Sequence, residues 1–86
     1  MSNNLKLVHL KNIGEVLAGR LHEIGIHDDN ELRIVGASKA YKMLKDIYPN
    51  EVLPVCYYLY SFEGALQDCD WRKISEDRKR VLKEEI

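Results

Sequence analysis

Eighty-six residues allow one domain with one modest core and exclude two. Hydrophobic residues at 45% and charged residues at 31% are ordinary for a globular chain and exclude disorder. A formal net charge of −1 argues against a strongly basic nucleic-acid binder. The first ten residues, MSNNLKLVHL, lack the apolar core of a signal peptide, and no run approaches the ~20 apolar residues of a membrane span. With only Cys56 and Cys69, no disulfide framework is expected, and the expectation is a cytoplasmic protein with reduced thiols.

Residues 1–9 are expected to lead in as an irregular segment or short turn. Helix 1 is expected to start at Asn12, a good N-cap, with Glu15 at capping-box spacing and Ile13, Val16, Leu17, Leu21 and Ile24 as its apolar stripe. Gly25 followed by apolar Ile26 is the Schellman pattern that ends it. Asp28 or Asp29 caps a short second helix carrying Leu32, Ile34 and Val35. Gly36 closes that helix and opens helix 3, residues 37–47, which should bury Ala37, Ala40, Tyr41, Leu44 and Ile47 and expose Lys39, Lys42 and Lys45. Pro49 stops that run, because the residue before a proline avoids helical geometry.

Helix 4 is expected to begin near Pro54. Its first residues, 55–60, are apolar or aromatic nearly all round, which suits a central helix or one shared with a partner. Gly64 inside it implies close approach of another backbone. Residues 67–70 form a turn, Trp71 and Ile74 pack back, and Ser75 caps helix 5, with Val81, Leu82 and Ile86 as its thin apolar edge. No β-type alternation of useful length occurs, so the fold class is all-α, one domain of about five helices.

Segments 10–26 and 32–48 echo each other when Gly14 is set over Gly36: an apolar lead-in, a glycine turn, then a helix with an alanine one turn inside. A glycine there lets backbone amides face outward at a helix start, where a phosphate is held. At Gly14, Glu15 places a negative charge where the phosphate would dock. At Gly36, Ala37 and Ser38 offer small residues and a hydroxyl, and Lys39 and Lys42 offer charge, although lysines at every third position are most often a solvated face. The basic members of the last helix are read mainly as solvated too. His9, His22 and His27 are read as surface or boundary residues rather than a zinc site with Cys56 or Cys69, because no pair is expected to show the close spacing of structural zinc sites. Cys56 is read as a buried thiol, and Asp68-Cys69-Asp70 has too few oxygens for calcium. No catalytic constellation, cofactor site or metal site is expected.

Taken in order, Asn12-Ile13-Gly14, Gly25-Ile26, Gly36-Ala37, then Glu63-Gly64-Ala65-Leu66 and Trp71, resemble the C-terminal domain of the TfoX/Sxy family from Leu10 to about Leu82. That resemblance implies a small helical fold with helix-hairpin-helix character. The named family members are bacterial regulators of natural competence for DNA uptake. Full-length regulators carry an additional N-terminal α+β domain that is not expected here, so what the resemblance implies is the fold and a DNA-associated or regulatory role. The resemblance brings no catalytic residues.

Two functions follow as expectations. The first is sequence-independent contact with the backbone of double-stranded DNA through Gly36, Ala37, Ser38, Lys39 and Lys42, in tandem helix-hairpin-helix-like turns. The second is a protein-interaction domain in which Tyr57, Tyr58 and Tyr60 make a homodimer or dock a partner. At 100° per residue those three tyrosines cannot all face one core, so at least one should be exposed or in a subunit contact.

Overall fold

A computed structural model describes residues 6–86. Five α-helices follow one another: α1 (Glu15–Glu23), α2 (Asp29–Val35), α3 (Ala37–Ile47), α4 (Leu59–Gln67) and α5 (Glu76–Glu85). Single 3-10 turns stand at Leu7–His9 and Trp71–Lys73. Among the described residues there is no strand, only one isolated bridge between Lys6 and Asp28. The all-α expectation holds.

Helix α4 is the centre. Every residue from Leu59 to Ala65 is buried, which is why its sequence shows no polar face. Helix α3 packs against each of the other four helices and brings Ala37, Ala40, Tyr41 and Leu44 to the core. Burial raises the pKa of the Tyr41 phenol, whose hydroxyl donates to the Leu53 carbonyl at 2.6 Å and ties α3 to the loop beyond it.

The local stop and start signals work as their chemistry dictates. Gly25 adopts φ +84° while its N–H donates to His22 and that of Ile26 donates to Leu21, the paired bonds of a Schellman motif. The Asp28 carboxylate accepts from the Glu31 amide at 2.8 Å, and the Ser75 hydroxyl accepts from the Arg78 amide at 3.1 Å.

Other expectations fail for physical reasons. Asn12 is not the cap of α1; that position is Gly14, with no side-chain cap. Asn12 sits in left-handed backbone at φ +70°, and its amide reaches across the molecule. Its Nδ2 donates to the Cys69 carbonyl at 2.9 Å and to Ser61 at 3.4 Å, and its Oδ1 accepts from the Trp71 amide at 3.2 Å. Gly64 is the residue that makes room. A Cβ there would lie 2.4 Å from Asn12 Nδ2 and 2.7 Å from the Cys69 carbonyl oxygen.

Helix α4 starts at Leu59, not near Pro54. Only one turn forms first: Tyr58 donates to Pro54, but Tyr60 donates to Val55, five residues back, so the register slips before the helix proper begins. That slip leaves Cys56 exposed rather than buried. Val16, Ile34 and Ile47 are exposed too, because the stripe facing the core is narrower than their spacing suggests.

The link from α4 to α5 is ionic. Glu63, buried on α4, receives Arg78 Nε at 3.0 Å and Nη2 at 3.3 Å, and Gln67 as a further donor. The hydrogen bond to Glu63 raises the pKa of Arg78.

Candidate nucleic-acid interface

The Gly36 turn is built by one residue serving two helices. Its N–H donates to Leu32 at 2.7 Å, closing α2, and its carbonyl accepts from Ala40 at 3.0 Å, opening α3. Its φ of +88° with ψ of 156° is a conformation that L side chains rarely adopt, so glycine is required here. Gly14 is different: its φ of −93° and ψ of −170° are extended backbone open to any residue, and a 3-10 turn rather than a helix lies upstream. Only Gly36 joins one helix directly to the next.

At the start of α3 the backbone amides of Ala37 and Ser38 find no acceptor among the described residues. Such amides, at the positive end of the helix dipole, are suited to an anion. Lys39 and Lys42 are exposed, whereas Lys45 donates to the Glu51 carbonyl at 3.1 Å and belongs to the loop. An open groove of about 680 Å³ runs from this turn toward α5. Val35 and Met43 contribute apolar lining, Lys39, Lys42 and Arg78 contribute cations, and Asp46 and Glu85 contribute carboxylates.

Glu85 bears on any anion that docks here. The Ser38 hydroxyl donates to its Oε1 at 2.6 Å, so the last turn of α5 already sets a carboxylate beside the start of α3. Sequence reasoning singled out Gly36, Ala37, Ser38, Lys39 and Lys42, which the fold does bring together, but not Glu85 or Arg78 from the other end of the chain.

The three tyrosines separate. Tyr58 and Tyr60 are 5% and 4% exposed and belong to the core, and Tyr57 is 48% exposed. An interface drawing on all three is therefore corrected to Tyr57 alone. The expectation that at least one would be exposed holds. Helix α5 carries the short-range pairs Lys79–Glu76 and Arg80–Asp77, both at 3.5 Å, as a solvated helix does.

One pair of side chains is closer than expected. The rings of His22 and His27 lie 5.0 Å apart, centroid to centroid. The four residues between them fall within the spacing of paired zinc-binding histidines, against the expectation that no histidine pair is close enough in sequence. No group of three or more histidine, cysteine or carboxylate side chains fit for a metal occurs among the described residues. No described helix is long and apolar enough to cross a membrane.

A small all-α domain in which a single glycine joins two helices over an open, lysine-bearing groove is the class defined by this geometry. The chain belongs to the TfoX C-terminal domain family, whose profile matches residues 1–86. It is similar to an uncharacterized protein from Listeria monocytogenes solved in a triclinic crystal form, at 33% identity and a TM-score of 0.81, covering 92% of this chain and 86% of that one. A protein of unknown function from Listeria monocytogenes in a tetragonal form is similar to it at 33% identity and a TM-score of 0.80, covering 92% of this chain and 94% of that one. Comparison with the curated proteins gives no match.

Proposed function

We propose that this domain is a non-enzymatic regulatory module of the bacterial cytoplasm, related to competence regulators, that contacts the phosphate backbone of duplex DNA through the Gly36 turn. The observation that carries the reading is the acceptor-free amide of half-buried Ser38, beside that of core-packed Ala37 and flanked by exposed Lys39 and Lys42. Main-chain contacts of this kind position a protein on a duplex without reading its sequence. Binding is weak, because Glu85 beside the turn must be displaced and the net charge of −1 offers no long-range attraction.

A titration of labelled duplex at two salt concentrations tests it. Two phosphate contacts give a log–log salt slope of roughly −2, so affinity falls about tenfold from ~50 to ~200 mM salt. Lys39→Glu with Lys42→Glu abolishes binding, and Glu85→Gln strengthens it. Unchanged affinity in the double-Glu variant refutes the reading. The half-exposed Tyr57 favours a second reading, a homodimer or protein-docking surface. A concentration-dependent mass without nucleic acid, abolished by Tyr57→Glu, would establish that instead.

A further inference from the structure

We propose that His22 and His27 together form a binding site for a first-row transition-metal dication, independent of the Gly36 groove. His22 stands in the last turn of α1, and the Schellman motif turns the chain back so that His27 returns beside it. The frame is fixed on both sides of the second histidine. Ile26 before it is 1% exposed in the core, the His27 amide donates to Glu31 Oε1 at 2.6 Å, and Asp28 after it caps α2 and bridges to Lys6. The backbone that carries the two imidazoles is thus fixed before any ligand arrives, which lowers the cost of binding.

Their separation suits a shared ion. A metal–nitrogen distance of about 2.0–2.1 Å puts each ring centroid about 3.2 Å from the metal, so two imidazoles at a tetrahedral angle have centroids about 5.2 Å apart, and at a right angle about 4.5 Å. The observed 5.0 Å lies between these values. Both residues are exposed, and neither ring has a hydrogen-bond partner among the described residues, so their nitrogens are available. A cavity of about 320 Å³ borders the pair, lined also by Leu7, Val8 and Ala18, with room for the waters that complete the coordination. Lys6 on the same rim opposes a dication and weakens the site. With two protein ligands and imidazole donors, the order of preference is copper, then nickel and zinc, with no uptake of magnesium or calcium.

Calorimetric titration of the full chain with Ni²⁺ tests this, with circular dichroism to verify the fold of each variant. One ion binds per chain, and binding weakens about tenfold or more in His22→Ala and equally in His27→Ala. His9→Ala leaves it unchanged and Lys6→Ala tightens it. Zn²⁺ moves the imidazole resonances of His22 and His27 together, and Ni²⁺ raises the melting temperature of the parent protein but not of either variant. Absence of uptake, loss in only one of the two variants, or equal loss in His9→Ala overturns the proposal.

Discussion

Replacing glycine by alanine at two helical positions should change stability in opposite directions. Gly19 lies in α1, exposed, and a Cβ added there meets nothing within 4 Å. Alanine then contributes only its better helix propensity, about 0.8–1.0 kcal/mol of stabilisation. Gly64 lies in α4 under Asn12 and the 69–71 backbone, where the same Cβ meets Asn12 Nδ2 at 2.4 Å, the Cys69 oxygen at 2.7 Å and the Trp71 Cα at 3.3 Å. The propensity gain is the same, but the helix or the 69–71 segment must shift. Overpacking of that kind costs about 1–3 kcal/mol. Displacing the Asn12 amide forfeits bonds worth about 1 kcal/mol each. The balance for Gly64→Ala is a destabilisation of about 1–3 kcal/mol. At this chain length that lowers the melting temperature by about 4–8 °C per kcal/mol. Urea denaturation of the two variants beside the parent measures both. A Gly64→Ala protein as stable as the parent, or a shift of the same sign at both sites, would refute the close approach on which the reasoning rests.

Three further outcomes follow from the same packing. Asn12→Ala loses the bonds to Cys69 and Trp71 and puts alanine at φ +70°, so it costs about 2–4 kcal/mol; Asn12→Gly relieves the backbone and should be milder by about 1 kcal/mol in denaturant midpoints. Arg78→Ala leaves the buried Glu63 charge with Gln67 alone and costs about 2–4 kcal/mol, whereas adding Glu63→Gln to it restores part of the loss; a double variant no better than the single one contradicts this. The Arg72 side chain and then its amide hold the Asp70 carboxyl well below the usual carboxylate range. Because the folded pKa lies below the unfolded one, the stabilisation is complete above about pH 3.9 and shrinks as pH falls toward the folded value. Asp70→Asn should therefore lower the melting temperature at neutral pH by more than in acid, and a carboxyl titrating near 3.9 by NMR would rule this out.

What was legible in the sequence is what local chemistry decides. Gly25-Ile26, Asp28, Gly36 and Ser75 each meet their hydrogen-bond partners within a few residues, and the pattern of residue types names the partner. Asn12 fails that test because its side chain has two choices. A capping bond to the α1 amides is local, but the Cys69 carbonyl and the Trp71 amide, 57 and 59 positions away, compete for the same amide group. The long-range bonds prevail because they lie in the packed gap that Gly64 opens, a gap visible only once α4 is in place. The start of α4 was misplaced for a related reason. Pro54 suits a first turn and does form one, but seating Tyr58 and Leu59 in the core requires a slip of register that no propensity records.

The two glycine turns show how far sequence likeness carries into a site. Both start helices, and both end with a carboxylate nearby, as the positive end of a helix dipole favours. At α1 that carboxylate is Glu15, in the first turn itself, where the chain holds it. At α3, which has no acid in its first turn, the carboxylate is Glu85, 47 positions away and exposed at the last turn of α5. The first arrangement was readable from adjacent letters and the second was not, although the physics is the same. The consequences for a ligand differ. Glu85 is held there by an exposed hydrogen bond from Ser38 and by the charge of Arg78, contacts that a phosphate would have to displace under the DNA-contact reading proposed above. Of two turns that look alike in sequence, only the one at Gly36 receives its carboxylate from a distant helix.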